Sequence, residues 1–440
     1  MGTTRFHTPG RADAVATPEE TLRDLASCAS LACGEGQLRE IARQAPVLDT
    51  RVAPGDAERC QQGYRHTLRE IVQQPFMWAD TALRAMPFVE ESLGAALLEQ
   101  RFHAVALTGS GSSHYVGELV APALRNALGV PVVPVAAGDL LTHGSAALPA
   151  PGPLLLVSIA RSGNSPESIT AARIAAREGR EISFLHITCN ADGRLAQGAA
   201  GDPEASRLVL HPLPNDRSLV MTSSFTSMAV AALSLGYVGR TAEYLTQTER
   251  LCRAVLQHQG ACAAFASSID YAACHRAVFL GSGCQYGAAR EAALKLTEMT
   301  AGAIVSMAET HLGLRHGPMA AIHPDTLLVS FVPPGFRAAR YGLDLVAELR
   351  AKALGTALVL QETGQAPTLL LGDVQPPLAD TGVDEAFAAI ENVAFAQWMG
   401  FFASRFHGLA PDAPSRSNVI SRVVPPFPIY ETPPDSGEPR

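Results

Sequence analysis

Glu291, Lys295 and Glu298 stand at i, i+4 and i+7 in the stretch GAAREAALKLTE, so a helix would carry all three on one face. His316 follows Glu298 by 18 residues, inside the compact turn Arg315-His316-Gly317-Pro318. A carboxylate base, a neighbouring cation and an imidazole are the groups that proton transfer at a sugar carbon needs. The same three charges also suit a solvated helix face joined by weak ion pairs, and spacing alone leaves both readings open.

The elements that must position these residues read as strand, glycine turn and helix. The apolar run from Val278 breaks at Gly281-Ser282-Gly283 and passes into an alanine-rich helix predicted over 286–300. Such a turn leaves backbone N–H groups facing a crevice, where phosphates and sugars bind. Earlier in the chain, HAVALTG gives way to Gly109-Ser110-Gly111-Ser112-Ser113, and PLLLVSIA to Arg161-Ser162-Gly163-Asn164-Ser165. Hydroxyls at Ser112, Ser113, Ser162 and Ser165, next to helix N-termini and Arg161, suit a phosphate monoester. They would serve equally as helix caps. No G-x-x-x-x-G-K-[ST] occurs, and His114 stands where a dinucleotide fingerprint wants its third glycine.

Strands alternate with helices throughout this region, which predicts a parallel α/β sheet. LTGSGSSHYVG and FLGSGCQYGAA align with Gly109 and Gly281 172 residues apart (281 − 109), so the chain reads as a tandem duplication. The second copy is expected to run RAVFLGSG, helix, DTLLVSFV, helix 340–353, TALVL, TLLLG and a long helix 383–406. The expected architecture is two doubly wound, flavodoxin-like domains at 75–240 and 241–407. A partly helical extension (1–74) precedes them and a proline-rich tail (408–440) follows, expected to wrap the surface. Trp78 is expected as a packing anchor.

With 440 residues and 47% hydrophobic content the chain can fill two cores, and its net charge of −8 gives nucleic acid or an anionic membrane nothing to bind. The eight cysteines show no C-x-x-C and no zinc-type spacing, so reduced thiols, a cytoplasmic location and no metal are expected. The N-terminus has no apolar signal region, and no apolar run is long enough to span a bilayer.

ARSGNSPES (160–168), LTGSGSS (107–113), MTSSFTSM (221–228), GAAREAALKLTEMTAG (287–302) and RHGP (315–318) together resemble the sugar isomerase (SIS) domain family. The resemblance runs from about Gln74 to SRSNVISRVV near the tail. It is nearest to the AgaS-type branch of tagatose-6-phosphate ketose/aldose isomerases and galactosamine-6-phosphate deaminase/isomerases. The isomerase half of glucosamine-6-phosphate synthase is more distantly similar. It implies tandem SIS domains in a homodimer or larger assembly, a sugar-phosphate substrate and no cofactor. Position by position, it implies that Ser113, Ser162 and Ser165 hold the phosphate and that Thr222 and Ser223 touch the sugar. Glu298 would move a proton between C1 and C2, with Glu291 and Lys295 in support, and His316 of a neighbouring subunit would open the ring. The chain departs from the family pattern at His311-Leu312-Gly313-Leu314, where a Pro-Thr-Gly-Phe run is usual, and at Met319, where Lys is common. A sugar isomerase without deamination and a non-catalytic sugar-phosphate sensor are the alternative expectations. Glu298 and His316 speak against a sensor, which needs neither.

Overall fold

The computed structural model describes residues 16–28, 31–44, 55–177, 180–198, 204–333, 336–355, 357–361, 368–369 and 382–430. A helical run opens it: α1 (Pro18–Ser27), α2 (Leu31–Gln44), α3 (Asp56–Gln61), α4 (Arg65–Val72) and α5 (Gln74–Leu98). Thr17 and Glu20 form a reciprocal capping box at α1. Pro75 sits in the first turn of α5, where its missing N–H is no loss. Trp78 is fully buried, as a packing anchor should be.

The first sheet uses β1 (Ala104–Gly109), α6 (Ser112–Leu128), β2 (Val132–Ala136), α7 (Ala137–His143), β3 (Leu154–Ala160), α8 (Pro166–Ala176), β4 (Ile182–Thr188), β5 (Ser206–Val209) and α9 (Ser223–Leu233). Its strand order is β2-β1-β3-β4-β5, parallel throughout. After α10 (Thr241–Ser268) come β6 (Arg276–Leu280), α11 (Cys284–Met299), β7 (Val305–Glu309), β8 (Thr326–Phe331), α12 (Phe336–Ala351), β9 (Ala357–Gln361), β10 (Thr368–Leu369) and α13 (Glu385–Phe406). The second sheet runs β7-β6-β8-β9-β10, the same permutation, with β10 alone antiparallel. The expected doubly wound duplication is therefore present in the topology. Of TLLLG, Thr368 and Leu369 form β10, and the rest lies outside the described residues.

Alternation along the central strands sorts the core. Val105, Leu107, Leu155, Val157, Phe279, Val329 and Phe331 face inward to one cluster shared by both halves. Ala104, Ala106, Leu154 and Leu156 meet α7 and α8 on the outer face of the first sheet, and Val278, Leu280 and Leu328 meet α12 on the second. Strands buried on both faces read as continuous apolar runs, which is why β1, β3, β6 and β8 were legible. The edge strands β5 and β7 were not anticipated. SRLV and VSMAE are only partly covered and carry polar residues that break the run.

The two halves meet along α6 and α11. A Cβ at Gly287 would run into the Leu119 backbone, so glycine is what lets these helices touch. Glu118 and Arg290, themselves 172 residues apart, pair across this contact, and Arg290 stacks 4.3 Å over the Tyr115 ring. Among the described residues no helix is long and apolar enough to cross a membrane.

Candidate active site

Close packing of α6 on α11 decides what the Glu-Lys-Glu face does. Glu291 and Lys295 are buried at 0% and 1% side-chain exposure, and Glu298 keeps 23%. This is not a solvated stripe. Lys295 Nζ lies 2.5 Å from Glu298 Oε2 and 3.4 Å from Glu291 Oε1, the longer contact an ion pair without an aligned hydrogen bond. Nζ also donates to Ser112 Oγ at 3.1 Å. The ammonium thus joins the carboxylates of the second half to the serine turn of the first.

The energetics of this cluster follow from burial. Desolvation pushes the Glu291 carboxyl up to about 7, although Lys295 pulls against it. Burial would lower the Lys295 pKa, but the attraction of Glu291 and Glu298 outweighs it and holds the ammonium above its usual value. Lys295 is therefore a fixed positive charge within reach of a half-open carboxylate, Glu298.

The serine turn is built on Gly111, whose φ of 55° is a left-handed conformation that glycine adopts without strain. Ser112 and Ser113 are the first residues of α6, both buried, and Ser113 Oγ lies 4.0 Å from Met221 Sδ. In the neighbouring turn Ser165 is the N-cap of α8, accepting from Ser168 N at 3.3 Å and sharing a 2.8 Å hydrogen bond with Ser168 Oγ. Ser162 Oγ accepts from Asn164 N at 3.2 Å. The capping alternative therefore describes Ser165 in this structure. Arg161 is engaged by main-chain carbonyls. Its guanidinium donates to the Leu219 carbonyl at 3.2 Å and to the Arg422 carbonyl, and burial draws its pKa below the usual value.

Thr222 and Ser223 open α9, fully buried, with hydroxyls that have no hydrogen-bond partner among the described residues. Their backbone is fixed by a carboxylate that sequence reading missed as a site residue. Asp216 Oδ2 accepts from Thr222 N at 2.8 Å, Ser224 N at 3.0 Å and Ser224 Oγ at 2.5 Å. Glu70 on α4 does the same for the preceding peptides, accepting from Arg217 N at 2.5 Å and Ser218 N at 3.2 Å. Burial, then the nearby Asp216, raise Glu70 to about 8. Arg422 donates to the Asp216 carbonyl at 2.6 Å and to Asn215 Oδ1 at 2.7 Å, so the tail crosses the first half and ties this loop down. The one signal in the sequence was a polar run, Asn215-Asp216-Arg217, standing just before an apolar helix.

His316 is not gathered into this cluster. It ends a short 3-10 turn (Gly313–His316), exposed, and makes none of the hydrogen bonds or ion pairs that hold Glu291, Lys295 and Glu298. The family departure at His311 has a local use. The buried imidazole lies 3.1 Å from Ser282 Oγ and 2.9 Å from Ser330 Oγ, clipping the second glycine turn to β8, and burial lowers its pKa to about 4.

A duplicated α/β fold with hydroxyls at strand ends and a buried Glu-Lys-Glu cluster defines a class of doubly wound α/β proteins whose ligands bind at the carboxyl ends of the strands. The SIS domain model matches residues 100–236 and 270–360, and the chain belongs to the SIS domain family. It is 38% identical over 367 residues to an AgaS protein of Streptomyces coelicolor, covering 82% of this chain and 94% of that one. It is 34% identical to the D-galactosamine-6-phosphate deaminase AgaS of Escherichia coli, covering 81% and 94%. The crystal structure of the Escherichia coli tagatose-6-phosphate ketose/aldose isomerase superposes with a TM-score of 0.68 at 30% identity, covering 79% of this chain and 95% of that one.

Proposed function

We propose that the protein is a cytoplasmic amino sugar phosphate deaminase/isomerase that converts galactosamine 6-phosphate and water to tagatose 6-phosphate and ammonia. The observation that carries this reading is the Lys295 ammonium, shared between Ser112 of one half and Glu291 and Glu298 of the other. It puts the accessible carboxylate beside the turn suited to a phosphate. Relatives at 34–38% identity over most of their length support the substrate class.

In this reading the hydroxyls of Ser113, Ser162 and Ser165 and the N-terminus of α6 hold the phosphate, and Thr222 and Ser223 line the sugar. His316 of a second subunit opens the ring. Its exposure here leaves it available to a partner, and the assembly is a homodimer or larger. Glu298 removes the C2 proton of the open-chain aldose, and the electron pair forms the C1–C2 double bond of an enolamine as the C1 oxygen takes a proton. Return of a proton to C1 gives the ketimine, and water replaces nitrogen at C2 to release ammonia. Lys295 pairs with Glu298 and holds its side chain in place. With a hydroxyl at C2 the same transfer gives the ketose directly. The tagatose-6-phosphate isomerase neighbour favours this as a second reading.

The test is turnover of galactosamine 6-phosphate in heavy water. The expected result is one ammonia per ketose, with deuterium at C1. Conversion of the aldose phosphate alone, with no ammonia from the hexosamine, would leave only the isomerase.

A further inference from the structure

The duplication gives the Ser112 turn and the Glu291, Lys295 and Glu298 face a counterpart, and a cavity lies beside it. Gly111 (φ 55°, ψ −129°) corresponds to Gly283 (φ 60°, ψ −131°), the same conformation at the same point of the fold. Ser112, which meets Lys295, corresponds to Cys284, whose thiol lies against the Ala123 backbone. Ala123 is itself the counterpart of Lys295 (295 − 172). In front of this second turn lies a cavity of about 780 Å³ lined by Ala123, Asn126, Tyr237, Arg240, Cys284 and Glu385. That volume is ample for a hexose phosphate.

We propose that this cavity is a second phosphate-monoester site, held closed by the chain's own Glu385 carboxylate; the assignment rests on the reading of the serine turn as the substrate's phosphate site. Glu385 Oε1 accepts from Cys284 N at 2.8 Å, and the Gln285 backbone also draws on the carboxylate. A Cβ at Gly283 would strike that carboxylate, so it sits in the hollow of the turn. An anion at a helix N-terminus is what such a turn favours, and here the anion is covalently supplied. Glu385 is the first residue of α13, the helix that follows the fifth strand of the second half. Ser223 holds the corresponding place in α9 of the first half. Neighbouring Asp384 accepts from the Tyr237 hydroxyl instead. Glu291, Lys295 and Glu298 are matched here by Leu119, Ala123 and Asn126, so no base stands at the position Glu298 holds in the first site and the second would bind without turning over; the carboxylates of Glu243 and Asp384 line the cavity elsewhere.

The test is calorimetric titration of the full-length protein with galactitol 6-phosphate, which has no carbonyl to isomerise. Wild-type protein should bind one equivalent per chain, and Glu385→Ser and Glu385→Ala two. Glu385→Gln should stay at one, because its amide oxygen still accepts the Cys284 N–H and fills the hollow. Turnover of galactosamine 6-phosphate by the Ser and Ala variants reports that each is folded, and the Ser variant restores the hydroxyl of the first half if Ala is unstable. One equivalent in both variants with turnover retained, or two equivalents in wild type, would overturn the proposal. No binding by wild type with one equivalent in Glu385→Ser would instead remove the serine-turn reading and leave the second site standing.

Discussion

The two halves share one strand order and one glycine turn, yet they present opposite chemistry at it. The first turn offers buried hydroxyls and faces Glu291, Lys295 and Glu298 of α11. The second is filled by Glu385 and faces a cavity lined by Ala123 and Asn126 of α6. Because α6 and α11 cross at the duplication axis, each candidate site takes its turn from one half and its helix face from the other. A change at Leu119, Ala123 or Asn126 therefore bears on the second site, and a change at Glu291, Lys295 or Glu298 on the first. The duplicated scaffold carries a base and a cation on the α11 face of one site and neither on the α6 positions that match them.

The strongest way to break this comparison is Glu298→Gln, which keeps shape and hydrogen bonding but removes basicity. Turnover should fall about 10²–10⁴-fold, while its counterpart change, Asn126→Asp, leaves steady-state kinetics unaltered. Equal losses from both would mean that the two faces are not chemically distinct.

Next is Lys295→Met, which leaves buried Glu291 without its cation. Removing one partner of a buried pair costs about 3–5 kcal/mol, read as a lower urea midpoint. Adding Glu291→Gln should return much of that loss. A mild effect of the single change, with nothing recovered by the second, would show that the ammonium does not offset the buried carboxylates.

A smaller signature appears in pH. The folded-state pKa of Glu291 is raised from 4.5 to about 7, so the folded protein holds a proton that the unfolded chain releases. The associated stability is full below pH 4.5 and is lost as pH rises through about 7. Wild type should lose stability relative to Glu291→Gln across that window, by at most about 1.4 kcal/mol per pH unit. Parallel profiles by urea denaturation would place the Glu291 pKa near normal. Leu119, its counterpart, contributes no such slope.

The smallest effect separates capping from phosphate binding in the first half. Ser165→Ala should cost about 1 kcal/mol of stability as a lost N-cap. Ser165→Asp keeps the cap but brings a carboxylate to a first-half turn, as Glu385 does in the second. Its stability should match wild type while KM for the sugar phosphate rises. An unchanged KM would assign Ser165 to α8 alone.

What the sequence determined by itself is whatever rests on neighbours along the chain. Central strands show as apolar runs because both their faces are covered, and the 172-residue repeat of the glycine turn announces the duplication. Helical spacing alone puts Glu291, Lys295 and Glu298 on one face. Tertiary structure decided the meaning of that face, because burial against α6 comes from the Gly287–Leu119 approach, which no local pattern carries. The grip of Glu70, Asp216 and Arg422 on the Thr222 turn was likewise hidden, since its partners lie up to 207 residues apart. Arg161, which as a sequence feature looked ready for a phosphate, is taken by carbonyls from two distant segments. The Glu385 carboxylate lies 101 residues from the N–H it meets, and only the packing of α13 against α11 brings them together. Hydrophobic pattern records which side of an element is covered, but the partner that desolvates or neutralises a charged group is chosen by the packing of distant elements.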